Sequence, residues 1–355
     1  MTKIEITSWE VSLHRRDGGG LRVQAFLQAL DALDADYNLN AIGGREEGTP
    51  RSTALGSMKR KYLPMPLRHR AERELPPGIA STRLALGLVP VGHRWCTRHA
   101  DFAWLDYADL WSEFARRHAD HVTGLAKAAA TGQAWMWKHR ETIDTQAAAI
   151  VTTASWSDSR KLGCDARWLP TPTYSERSVP RRPARPAGTI RAGFIANFQY
   201  PPNRHAYDYM LKNWYPLLRN HNIEIAIAGF HSDSLSTPPG VSLVGEVENA
   251  ADFYADIDIA LAPIVTGGGM KVKVIEALTH GVPVISTEHA ADGLPPILEN
   301  ALIPWTPNLN PETFDLTDPR ESRTIDSALK SFSIESFNNS VGELMQTVAA
   351  KNAHR

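Results

Sequence analysis

The sequence predicts an α/β chain: parallel sheets covered on both faces by helices, divided between two domains. Three observations predict it. Short apolar runs alternate with helical patterns and are joined by glycine-rich connections, the rhythm of a parallel sheet. A length of 355 residues suits two domains better than one. Residues 170–188 hold Pro170, Pro172, Pro180, Pro183 and Pro186, four arginines and almost no apolar period. That composition makes an extended, semi-rigid connection. The expected division is therefore a first domain over 1–170, a linker over 171–189 and a second domain over 190–323. A helical tail over 324–355 would pack back on the first domain.

The elements follow in chain order. Ile4 to Trp9 reads as a strand, and a glycine loop, Gly18 to Gly20, leads into a helix from Leu21 to Leu33. Its buried side is Leu21, Ala25, Leu27, Leu30 and Leu33. Tyr37 to Ile42 is the next strand, and residues 50–80, rich in Pro, Arg and Lys, are loop with room for a short helix. Phe102 to Tyr107 reads as a buried strand, Leu110 to Lys138 as mostly helix, and Ala147 to Thr153 as a strand. A Ser- or Thr-capped helix runs from Ser155 to Leu162. The second half has strands at Ile190 to Ala196, Ile223 to Ala228 and Val241 to Val244, with helices near Ala206 to Leu218 and Asn249 to Ala255. Thr324 to Ala350 reads as one or two helices.

The richest segment is Ala262 to Thr287, APIVTGGGMKVKVIEALTHGVPVIST. An apolar strand ends in Gly267, Gly268 and Gly269, a helix follows, Gly281 stops it, and a second apolar strand begins at Val282. The first N–H groups of a helix have no intrahelical partner and lie at the positive end of its dipole. Glycines just before them let backbone approach a phosphate with no Cβ in the way. Lys273 and Glu276 are three residues apart and project from one side of that helix. A lysine there suits a diphosphate. An ionised carboxylate one turn on can accept a hydrogen bond from each hydroxyl of a ribose. Ligands in parallel sheets bind at the carboxyl ends of strands, where Gly229, Gly245 and Gly267 all fall.

Composition limits the alternatives. Hydrophobic residues make up 43% and charged residues 22%, enough for a substantial core. A net charge of −1 and the lack of any recognisable motif argue against nucleic acid as a partner. Two distant cysteines, Cys96 and Cys164, form neither a metal spacing nor a disulfide framework, which points to a reducing compartment. The histidines show no ligand spacing, so no metal is expected. No signal peptide and no apolar run of the ~18 residues that a span requires are visible, so a cytoplasmic protein is expected. The basic segment Lys59 to Arg73 is either a solvated loop or a peripheral contact with the inner face of a membrane or an acidic partner. Tyr62, Leu63, Met65 and Leu67 would then be its apolar anchor.

Taken together, GGGMKVK and EALTHGVPVIST after a strand resemble the donor segment of glycosyltransferases built from two Rossmann-like domains facing each other across a cleft (GT-B), in particular the large retaining family 4. GGGLR (Gly18 to Arg22), GFIANFQYPPN (Gly193 to Asn203), IAIAG (Ile225 to Gly229) and VGEVENAADFYADIDIALAP (Val244 to Pro263) support the resemblance in order and spacing. It implies transfer of a sugar from a nucleoside-diphosphate donor to a hydroxyl acceptor: a glycan, a lipid-linked saccharide or a small metabolite. It implies retention and no metal or other cofactor, because amides and basic side chains neutralise the leaving diphosphate.

Residue by residue, Glu276 would hold the ribose. Lys273 and the loop Gly267, Gly268, Gly269, Met270 and Lys271 would hold the diphosphate, with Lys273 also catalytic in stabilising the leaving group. Gly19, Gly20 and Arg22 would close over it, while Asn203 would lie at the donor and Val247 near the base. The acidic residue that many members carry before the ribose glutamate is Gly268 here, and Asn197, Asn203 and Arg204 occupy the region of the usual arginine and lysine. A triple-glycine subgroup shares this pattern. Asp106 and Asp109 end the FAWL strand; one is either a base for the acceptor proton or a cap for the following helix. The tryptophans are either an acceptor platform or core. Two other functions fit the architecture, a non-hydrolysing nucleotide-sugar epimerase and a catalytically degenerate partner of an active enzyme.

Overall fold

The structure is a computed structural model, and it describes residues 3–9, 18–42, 84–173 and 189–353. The basic segment 59–73 and most of the Pro/Arg-rich stretch lie outside the described residues. The chain divides into two compact units. One comprises residues 1–172, 268–270 and 334–355; the other comprises 173–267 and 271–333.

The first unit holds a six-stranded parallel sheet in the order β2-β1-β3-β4-β5-β6. Its strands are β1 (Ile4–Trp9), β2 (Tyr37–Ile42), β3 (Leu84–Gly87), β4 (Phe102–Tyr107), β5 (Ile150–Thr153) and β6 (Arg167–Trp168). Helix α1 (Gly18–Ala32) follows β1, and α2 (Pro90–His99) follows β3. The triple glycine is therefore the first turn of α1 rather than a loop before it. The mostly helical stretch expected between β4 and β5 is two helices, α3 (Trp111–Asp120) and α4 (Gly124–Ala147). The break falls at Gly124, whose φ of +59° is a left-handed geometry that a continuous helix cannot contain. Helix α5 (Trp156–Lys161) carries the expected cap, with Asp158 N donating to Ser155 Oγ at 3.2 Å.

Chain order does not decide which core a helix joins. The last helix, Ile334–Ala353, buries Phe337, Val341, Leu344 and Val348 in the core of the first unit beside Phe26, Leu30 and Trp104. Phe337 meets Phe26 edge-to-face, with centroids 5.1 Å apart. Such a contact adds about 0.5–1.5 kcal/mol beyond burial.

The second unit repeats the architecture with strand order β12-β11-β10-β7-β8-β9. The strands are β7 (Ile190–Ile195), β8 (Ile223–Ala228), β9 (Val241–Gly245), β10 (Ile259–Ala262), β11 (Val284–Ser286) and β12 (Ile303–Pro304). All pair in parallel, and Phe194, Ile227, Leu261, Leu278 and Ile285 lie in its core. The strand order reverses between β7 and β10, and loops leaving their carboxyl ends diverge around a crevice.

Candidate functional site

Both loops at that reversal carry predicted residues. From β7 the chain runs through Asn197 and Tyr200 into a helix over Pro201–Asn213. Asn203, in its first turn, is held twice: its N–H donates to Tyr200 O at 3.0 Å, and its Nδ2 to Asn197 O at 2.8 Å. The second bond fixes the amide, so Oδ1 faces the other way as an acceptor. From β10 the chain runs through the glycine loop into the helix Val272–Thr279. Gly267 and Gly269 have φ of +110° and +60°, values that a Cβ makes costly.

Lys273, in the first turn of this helix, donates from Nζ to Asn203 Oδ1 at 2.7 Å. The contact joins the two sides of the switch point. The ammonium sits 5.4 Å from the Phe194 ring centroid, within the range of a cation–π attraction. Burial pushes its pKa down from 10.5 to about 8, against an opposing pull from Glu276. Burial raises the Glu276 pKa, and only the charge of Lys273 resists it. Among the described residues none donates a hydrogen bond to the Glu276 carboxylate. A half-buried acid with unused acceptor capacity is poised to take hydroxyl donors from a ligand.

The frame around this pair is stiff. Tyr254 Oη donates to Lys273 O at 3.2 Å. At the far end, Val282 N donates to Ala277 O and Gly281 N to Leu278 O, at 2.9 and 3.0 Å. With Gly281 at φ +74°, these bonds complete a Schellman stop. Arg320, paired to Asp318 at 2.6 Å, adds a bond from Nη1 to Thr279 O at 3.0 Å. Thr287 donates its hydroxyl to Ile264 O, tying the end of β11 to that of β10.

Asp106 lies in a buried polar cluster. Its carboxylate is fully buried and accepts from Arg22 Nε and Nη2 and from Thr152 Oγ1, each at 2.6 Å. Arg22 is buried too and spends Nη1 on Leu169 O and Thr171 Oγ1, at 2.9 and 3.1 Å. A buried carboxylate that already accepts from a bidentate guanidinium and a hydroxyl ties β4 to α1 and β5. Arg22 is likewise turned inward, with all three guanidinium nitrogens engaged within its own unit. His93 reinforces the cluster: its Nε2 lies 3.1 Å from both Gly87 O and Asp106 O, so the ring proton is on that nitrogen. Burial drives its pKa to about 3, and the ring is neutral.

The remaining predicted positions are scattered. Gly19 is exposed and Gly20 buried at the start of α1. Asp109 does not cap α3, whose cap is Leu110; Glu141 on α4 serves that turn instead, accepting from Ser112 N at 3.0 Å and from Ser112 Oγ at 2.5 Å. Val247 is half-buried between β9 and the helix Ala250–Ala255. Met270 is half-buried, and Lys271 is buried at the cap of the Lys273 helix. Trp95, Trp104 and Trp137 are core, while Trp135 is 70% exposed. No group of three or more potential metal ligands occurs among the described residues. Phe194 and Tyr254 were not singled out from sequence. Strand alternation from Ala192 marks Phe194 as core-facing; nothing local marks Tyr254.

Comparisons with known proteins bear on the fold and family. Residues 189–312 match the family model described as glycosyl transferases group 1. No curated protein sequence matches the chain. HepE of Anabaena, solved with UDP and glucose, aligns with TM-score 0.54 at 12% identity, covering 98% of this chain and 100% of that one. A glycosyltransferase from Rickettsia africae aligns with TM-score 0.57 at 10% identity, covering 98% of each. A trehalose-6-phosphate synthase aligns with TM-score 0.58 at 10% identity, covering 97% and 99%. Residues 189–312 thus form a domain of the glycosyl transferases group 1 type, in a chain with the GT-B fold of two Rossmann-like domains.

Proposed function

We propose that the protein is a glycosyltransferase that takes a sugar from a nucleoside-diphosphate donor. The observation that carries this reading is the Lys273–Glu276 pair at the β7/β10 reversal. The cation is aimed by Asn203, and the carboxylate has no donor among the described residues. Lys273, with the loop from Gly267 to Lys271, binds the diphosphate; Glu276 accepts from the ribose hydroxyls. As the glycosidic bond breaks, negative charge grows on the diphosphate, and a fixed ammonium beside a desolvated helix start stabilises it. No metal is required for that step in this reading, and the transfer is retaining. The acceptor is a hydroxyl of a glycan, a lipid-linked saccharide or a small metabolite.

UDP is the first donor nucleotide to try, since HepE of Anabaena was solved with UDP and with UDP-glucose. Calorimetric titration with UDP, GDP and TDP, followed by donor turnover with and without EDTA, tests the proposal. Binding of one nucleotide and EDTA-insensitive loss of donor support it. No binding at millimolar concentration removes it. A second reading, a donor-binding partner that lacks catalysis, gains weight because Asp106 is sealed; turnover by the purified chain alone excludes it. An epimer formed from the donor alone would favour an epimerase instead.

A further inference from the structure

We propose that the first unit carries a second ligand site, a groove between α2 and α4 that binds a small anionic amphiphile: a phosphate or carboxylate bearing an alkyl or aryl group. The groove has a volume of about 550 Å³, the size of a pocket for one drug-sized molecule. Its walls are the C-terminal halves of α2 and α4, which lead into the amino ends of β4 and β5.

Two features define the occupant. The first is apolar surface with no cover. Trp135 and Ile143 line the groove and are 70% and 52% exposed. They are two helical turns apart, on one side of α4, with His139 between them stacked on Trp135 at 5.9 Å and 5°. A rigid, exposed indole of this kind offers a flat face to an aryl or alkyl group.

The second feature is charge. Arg94 and Arg98 line the groove from α2, and among the described residues neither guanidinium has a hydrogen-bonding or ion-pairing partner. Arg94 is half-buried. On the facing wall Arg140 pairs with Asp144 at 3.3 Å, so the one carboxylate there is already matched. Among the described residues that line the groove, this leaves Arg94 and Arg98 with no matching carboxylate. A partly desolvated guanidinium without an acceptor is costly, and a bidentate anion satisfies it. An acidic head beside an apolar tail complements both features at once.

The test is calorimetric titration of the full chain with decyl phosphate below its micellar concentration. Decyltrimethylammonium and inorganic phosphate serve as charge and chain controls, and phosphatidylglycerol vesicles as the membrane arm. Binding of one decyl phosphate per chain is expected, with at least tenfold weaker binding of both controls. In Arg94→Gln/Arg98→Gln, affinity falls at least tenfold. In Trp135→Ala it falls about threefold or more. Unchanged thermal unfolding shows that these surface variants remain folded. Equal affinity for the cationic amphiphile, or unchanged affinity in the arginine variant, overturns the proposal. Binding to vesicles without binding to monomeric decyl phosphate also overturns it, in favour of a membrane-facing surface.

Discussion

Each unit contains a basic and an acidic residue close to one another near the carboxyl ends of its strands, and the two pairs differ in their hydrogen bonding. In the first, Arg22 and Asp106 are sealed, bidentate at 2.6 Å, with the remaining capacity taken by Thr152, Thr171 and Leu169 O. In the second, Lys273 is half-buried and makes one side-chain bond, to a neutral amide, while Glu276 receives none from the described residues. Residue type does not separate a structural charge pair from a functional one. Unspent hydrogen-bonding capacity does. An engaged pair holds the fold, whereas an unsaturated one keeps hydrogen-bonding capacity for a ligand, the role we propose for Lys273 and Glu276.

The largest effect expected from this contrast is on stability. Asp106→Ala leaves a buried guanidinium unpaired and should cost about 3–5 kcal/mol, a fall in Tm on the order of 10 °C. Nucleotide affinity of the folded fraction should not change. A stable Asp106→Ala protein with abolished turnover would return this residue to catalysis.

The reverse pattern is expected at the other pair. Lys273→Ala and Glu276→Ala should each weaken nucleotide binding by about 1–3 kcal/mol, with little change in Tm. Nucleotide titration and thermal unfolding of the same preparations separate the two outcomes, and unchanged affinity in both variants would place the site elsewhere.

Gly281→Ala tests the frame. Alanine at φ +74° is strained, and its Cβ would approach Asp318 Oδ2 to 2.5 Å and Arg320 Nη2 to 2.6 Å. A loss of about 1–3 kcal/mol is expected from the backbone strain alone, measured by denaturant unfolding.

The smallest expected effect is a pH dependence. With its pKa lowered to about 8, Lys273 is charged below that pH and neutral above it. Affinity for a nucleoside diphosphate should therefore be highest below pH 8 and fall between pH 8 and 9. Binding raises this pKa, so a proton is taken up near pH 8. Lys273→Arg should flatten the profile, since a guanidinium does not titrate there.

What the sequence revealed follows the range of the interactions. The Gly281 stop, the Ser155 cap and most long strands rest on neighbours in the chain, and their residues show it. The partly coupled Lys273 and Glu276 are three residues apart, so helix periodicity brings them together. The burial of Asp106 was not legible because its carboxylate's partners, Arg22 on α1 and Thr152 on β5, are not near it in sequence. Short strands such as Leu84–Gly87, Arg167–Trp168 and Ile303–Pro304 carry too few residues for a period and are created by the sheet they join. The bond from Lys273 to Asn203 depends on sheet order, which local pattern cannot supply.

The central claim is that the Lys273–Glu276 helix and the loop before it hold the donor. A crystal structure of the chain with UDP, or with whichever nucleotide binds most tightly, tests it most directly. The diphosphate is expected against Lys273 and residues 267–271, with both ribose hydroxyls on the Glu276 carboxylate. A well-ordered nucleotide bound anywhere else would contradict it.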